Sequence, residues 1–145
     1  DRLFWARKGS GAYLDGTRIH VSKQAELKRG LVGIGYAWNQ INLLGVMGEL
    51  VNAKAISLQF ASNVYMGSLV AAGQFLAVFF TGKLPWDVAA LKIIVEEAGG
   101  RVTDLWGNEQ RYDREIRGAL ISNGHIHEKL LELVHKHVKQ SDNVN

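Results

Sequence analysis

Residues 75–100 of this 145-residue chain read as strand, turn, helix and stop, and that order restricts the fold more than any other stretch. Phe75-Leu76-Ala77-Val78-Phe79-Phe80 has the apolar composition of a buried strand. Thr81-Gly82-Lys83 then makes a turn, and Pro85 opens a helix that stops at Gly99-Gly100. The helix places one carboxylate, Asp87, in its first turn, where the helix dipole favours an acid. The same dipole favours a bound phosphate at that end, and a carboxylate beside a phosphate suggests a bridging metal.

The flanking sequence extends the pattern. Strands are predicted at 3–7 and 11–14, with Asp15-Gly16 as a hairpin turn into a returning strand at 17–21. The glycine-spaced apolar run at 30–37 fits a buried strand in which Gly33 and Gly35 permit close backbone approach. Trp38-Asn39-Gln40 is expected to begin a helix with Ile41, Leu44, Met47, Leu50 and Val51 on its apolar face, ending near Lys54. A short strand at 55–60 leads to Ser62 and Asn63, which can cap a helix that stops at Gly73. Two strands at 101–104 and 118–122, joined by a polar loop, precede a final helix over about 125–138. Strands alternating with helices indicate an α/β fold, a mixed sheet flanked by helices, and the early hairpin excludes a purely parallel sheet.

Composition narrows the function classes. A 47% hydrophobic chain of this length can bury one core. With no cysteine, a disulfide framework and a thiolate zinc site are excluded, and a reducing, cytoplasmic setting is expected. The longest apolar stretches are too short to span a bilayer, and no signal-peptide pattern opens the sequence. The net charge of +3 is spread along the chain, so nucleic acid is possible as a partner but not favoured. Arg111, Arg114 and Arg117 alternate with Asp113 and Glu115, as a solvated loop face does. A mild basic bias suits an anionic substrate.

Several side chains invite a structural reading. His125, His127, His135 and His137 lack a helical i, i+4 pair within either doublet and read as surface histidines. Glu96 and Glu97 lie roughly 10 Å or more from the opening of the Asp87 helix by helical rise, and read as exposed or structural. Asp104 reads as a strand-end residue, Lys83 as a solvated lysine, and Trp86 as packed core beside the site.

The run Trp86-Asp87-Val88-Ala89-Ala90, followed by Glu97-Ala98-Gly99-Gly100, resembles the second signature of the inositol monophosphatase family of magnesium-dependent phosphatases. Upstream, Gly9-Ser10-Gly11-Ala12-Tyr13-Leu14-Asp15-Gly16 with Ile19-His20-Val21-Ser22 is similar to the family's glycine-rich hairpin and following strand. Downstream, Ala119-Leu120-Ile121-Ser122-Asn123-Gly124 with His127-Glu128-Lys129 is similar to its last strand and closing helix. The resemblance implies hydrolysis of a phosphate monoester, an inositol phosphate or a related sugar or nucleotide phosphate, with Mg2+ as cofactor. It implies Asp87 as a metal ligand and catalytic residue, with Ser62, Asn63 and Trp86 on the substrate side. Dimers are common in the family, so a homo-oligomer is expected.

The sequence departs from the family pattern in ways that bear on chemistry. Most of the family's metal carboxylates come from a Glu and an Asp-Pro-(Leu/Ile)-Asp-Gly-Thr motif, and neither occurs here; Asp15-Gly16-Thr17 repeats only the last three letters and reads as a turn. Residues 1–22 are accordingly expected to be the remaining strands and hairpin of a second, N-terminal sheet, residues 23–140 the C-terminal α/β domain, and residues 141–145 a frayed tail. The expectation is part of a longer protein, nearly inactive by itself. Where inositol phosphatases carry a carboxylate that hydrogen-bonds a sugar hydroxyl, this chain has Phe80, which weakens selection for that hydroxyl. The competing reading is a non-catalytic module of the same fold that binds RNA or protein.

Overall fold

The computed structural model describes residues 1–35, 41–60 and 62–139. Its first element is an antiparallel meander of β1 (Phe4–Arg7), β2 (Gly11–Leu14) and β3 (Thr17–Ile19). Asp15 and Gly16 both have positive φ, +50° and +82°, as the tight two-residue hairpin requires. Trp5 and Tyr13 face each other in the register and stack with ring centroids 4.3 Å apart.

The main sheet contains β4 (Leu31–Ile34), β5 (Ile56–Leu58), β6 (Ala77–Phe80), β7 (Arg101–Thr103) and β8 (Ala119–Ser122), in the order β5-β4-β6-β8-β7. β5 and β6 run parallel to β4, whereas β8 is antiparallel to both β6 and β7. The helices are α1 (Leu44–Asn52), α2 (Asn63–Ala71), α3 (Trp86–Glu97) and α4 (His127–His137). The chain leaves β4 through α1 to reach β5 on one side, then crosses back through α2 to β6 on the other. Right-handed crossovers in opposite directions put α1 and α2 on opposite faces of the sheet.

Two apolar cores follow from that topology. One joins Met66, Leu69, Val88, Leu91 and Val95 of α2 and α3 to Val78 and Phe80 of β6, and reaches Ala12 in the small sheet. The other joins Val46, Leu50, Leu130 and Val134 of α1 and α4 to Ala77 and Phe79. Successive β6 side chains enter opposite cores, which is why the whole strand reads as apolar. The layers are therefore α1 with α4, the five-stranded sheet, α2 with α3, and the three-stranded sheet.

Several boundaries differ from expectation. The helix expected from Trp38 begins at Leu44; residues 36–40 lie outside the described residues, and Asn42 Oδ1 accepts the Leu44 N–H at 2.9 Å in a local turn just ahead of the helix. Its core contacts come from Leu43, Val46 and Leu50, while Leu44 and Val51 are exposed. The last helix starts at His127, two residues late. Both expected glycine stops are observed, with φ of +73° at Gly73 and +95° at Gly99. The tail at 141–145 lies outside the described residues. Among the described residues no helix is long and apolar enough to cross a membrane.

Candidate active-site edge

β4, β5 and β6 end on the same side of the main sheet, and the connections that leave β4 and β6, through α1 and α3, run to opposite faces. In open α/β sheets the crevice at such a switch point, beyond the carboxyl ends of the strands, is where ligands bind. Here that crevice lies between Gly35 and Thr81. Gly35 N donates to Phe79 O at 2.7 Å, and Thr81 Oγ1 donates to Gly35 O at 3.4 Å, joining the two strand ends. Gly35 has to be a glycine: a Cβ there would lie 2.6 Å from Asn63 Oδ1 and 3.0 Å from Phe79 O. Asn63 thus sits directly on the switch point. Its Oδ1 is buried and has no hydrogen-bond partner among the described residues.

Ser62 precedes α2 in an extended conformation, and its Oγ accepts the Tyr65 N–H at 3.2 Å, a side-chain N-cap. Among the described residues the hydroxyl hydrogen has no acceptor. Asp87, half-buried, occupies the first turn of α3, whose start is set by Pro85: Val88 N and Ala89 N donate to Pro85 O at 3.1 and 2.9 Å. α2 and α3 pack along each other where Gly67 admits Leu91; a Cβ on Gly67 would lie 2.5 Å from Leu91 Cδ1. α2 leads back to β6 and α3 leads back to β7, which runs parallel to β6, so the two helices run parallel and this contact, four residues beyond Asn63 and four beyond Asp87, brings their N-termini towards the same edge. Residues 62, 63 and 87, singled out from sequence, are brought to one edge.

Trp86 is different. Expected in the core, it is 69% exposed, because Val88, Leu91 and Val95 form the buried face of α3 and Trp86 lies off that stripe. Phe80 is buried and its ring lies over Gly82, where a Cβ would come within 2.6 Å of its Cζ, so it offers the crevice no polar atom. Lys83 is exposed as expected and pairs at the surface with Glu115 at 2.8 Å.

His127 also departs from the surface reading and is fully buried. Ser122 Oγ lies 2.7 Å from its Nδ1, and Thr103 Oγ1 lies 3.0 Å from its Nε2. Thr103 spends its own hydrogen on Asp104 O at 2.7 Å, so it accepts from Nε2–H and Ser122 donates to Nδ1. Burial, assisted by Arg101, pushes the His127 pKa down to about 4. Asp104 is more than a strand end: its carboxylate accepts the Trp106 and Asn108 N–H groups, each at 2.8 Å, and shapes the loop that follows β7. The sequence reading missed Asn123, whose side chain donates to Ser22 O at 3.0 Å and Gln24 O at 2.8 Å.

These observations can be set beside known proteins. The sequence model of the inositol monophosphatase family matches residues 1–139. The chain belongs to the inositol monophosphatase family. It is 30% identical over 141 residues to a fructose-1,6-bisphosphatase/inositol-1-monophosphatase of Thermotoga maritima, across 97% of this chain and 53% of that protein. It is also 30% identical to a putative Nus factor SuhB of Neisseria meningitidis, across 94% of this chain and 53% of that one. Among solved structures, the inositol monophosphatase of Anabaena superposes with a TM-score of 0.84 at 28% identity, covering 94% of this chain and 57% of that chain. The chain spans about half the length of the curated relatives it matches.

The family raises the question of magnesium, and the residues here do not answer it by themselves. Mg2+ requires near-octahedral oxygen coordination, whereas the edge contributes one carboxylate, Asp87. Among the described residues no group of three or more His, Cys, Asp or Glu side chains is placed to hold a metal ion. The donor set of the described residues does not fit a resident magnesium.

Proposed function

We propose that this chain forms the substrate-facing half of a phosphatase that hydrolyses small phosphate monoesters with Mg2+, and that by itself it releases little phosphate. The observations that support this reading are the Gly67–Leu91 packing of α2 on α3 and the closeness of Asn63 Oδ1 to Gly35 at the end of β4. Two helix N-termini opening on one crevice favour a phosphate. Asp87 is the catalytic residue of this half and one metal ligand, the remaining ligands coming from outside the chain. The Ser62 hydroxyl hydrogen and the Asn63 amide give the substrate side its polar contacts, and the exposed Trp86 flanks it. With Phe80 turned onto Gly82, a hydroxyl next to the ester meets no carboxylate there, so sugar and nucleotide monophosphates are accepted beside inositol phosphate.

Phosphate release by the whole protein from a panel of sugar, inositol and nucleotide monophosphates, with and without Mg2+, tests the reading. Metal-dependent release from at least one is expected, and no release from any would overturn it. A second reading, an RNA-binding module, draws on the Nus factor name of the Neisseria relative. Salt-sensitive RNA binding that survives Asp87→Asn, together with no phosphate release, would favour that alternative.

A further inference from the structure

Glu97, in the last turn of α3, receives two backbone N–H groups from the loop between β1 and β2. Gly9 N donates to Oε1 at 2.7 Å and Gly11 N to Oε2 at 2.8 Å, one amide for each oxygen. Positive φ at both glycines, +75° and +90°, turns the loop's amides towards the carboxylate. Gly11 is backed by the Arg18 guanidinium of β3, which a Cβ would approach to 2.9 Å. The Gly9 and Gly11 amides hold the Glu97 carboxyl below its ordinary range. A glutamine of the same shape would keep one acceptor and present NH2 to the other amide, donor against donor.

The position of this clamp matters more than its strength. β1 ends at Arg7, just before the loop, and α3 ends at Glu97, so strand and helix meet at the clamp by their C-terminal ends. They lie side by side and run back from it, to Phe4 and to Trp86. A third bond, Val21 N to Ala98 O at 3.0 Å, joins the small sheet's exit to the same end of α3. Among the described residues, the hydrogen bonds between residues 1–21 and the α3 segment are these three, all at one end. Ten residues of helix separate Glu97 from Asp87, about 15 Å of rise. Slack at the pivot would be amplified at the far end of this lever.

We propose that Glu97 is a positioning residue: its two amide bonds set the angle of the three-stranded sheet over α3, and through it what that sheet brings towards Asp87. The catalytic half of this proposal rests on the reading of the Asp87 edge as the reacting site; the structural half does not.

The chain has no cysteine, so two can be introduced for spin labels, at Thr17 on the small sheet and Ala89 on the exposed side of α3. Pulsed electron resonance should give a narrow distance distribution in the wild-type background and a shifted or clearly broader one in Glu97→Gln, with Glu97→Asp in between. In the whole protein, assayed where both variants remain folded, Glu97→Gln should lower kcat at least ten-fold with KM within about two-fold, and Glu97→Asp should recover part of the loss. Identical distance distributions in wild type and Glu97→Gln would overturn the proposal, as would an altered distribution with unchanged kcat. A wild type that releases no phosphate would count against the phosphatase reading instead, and the distance measurement would still decide whether Glu97 sets the angle.

Discussion

At the end of the main sheet where β8 finishes, Asn123, Ser122 and His127 are buried and paired; at the end where β4, β5 and β6 finish, Asn63 Oδ1 is buried with no partner among the described residues. Asn123, 1% exposed, ties the loop carrying Ser22 and Gln24 to the sheet and also accepts the Ile126 N–H at 3.3 Å. Nearby, Ser122, His127 and Thr103 hold one another in a chain in which every hydrogen has an acceptor. At the opposite end, Asn63 Oδ1 has no partner among the described residues, Ser62 caps α2 at the surface, and Trp86 stands in solvent. A closed network of buried polar groups holds a fold together, and removing one member strands the others.

The largest stability effects should therefore come from the closed end. Asn123→Ala removes three hydrogen bonds to backbone groups and strands the buried Ile126 N–H; we expect a loss of about 2 kcal/mol by urea denaturation. Acid should attack the same end. His127 is neutral in the fold with a pKa lowered to about 4, below the value near 6.5 of an unfolded histidine, so the unfolded state binds the extra proton first. Its contribution is complete above about pH 6.5 and is lost as pH falls towards 4, by about 3 kcal/mol across that window. Denaturation midpoints measured between pH 7 and 4 should show this slope in wild type and a shallower one in His127→Gln.

The open end should respond less. Ser62→Ala removes the N-cap of α2 and should cost about 1 kcal/mol, read as a fall in melting temperature of several degrees. Asp87→Asn should change stability by less than about 1 kcal/mol, since it removes only a helix-start charge. If Asp87→Asn unfolded the chain as readily as Asn123→Ala, the contrast between the two ends would be lost.

Local signals in the sequence carried much of the fold. Asp15-Gly16 specified a turn that needs two positive φ values, Pro85 set the start of α3, and Gly99 supplied its left-handed stop. That Ser62, Asn63 and Asp87 open helices was legible because helix-opening residues have a local signature. What was not legible depended on distant partners. His127 is buried because two hydroxyls, from β7 and β8, reach both ring nitrogens, and nothing beside it in sequence announces them. Glu97 was read as exposed or structural, but its partners lie 86 and 88 residues away. Trp86 was misplaced for a different reason. Its aromatic character suggested core, although the spacing of Val88, Leu91 and Val95 already assigned the buried face of α3 to other residues.

In the proposed function the chemistry occurs at the end of the sheet that carries Asp87. The direct measurement is phosphate release by the whole protein and by its Asp87→Asn variant, at saturating substrate and Mg2+, with circular dichroism and melting temperature recorded on the same samples. A fall in kcat of at least a hundred-fold is expected, with an unchanged spectrum and a melting temperature within a few degrees. Wild-type turnover in a fully folded Asp87→Asn protein would contradict it.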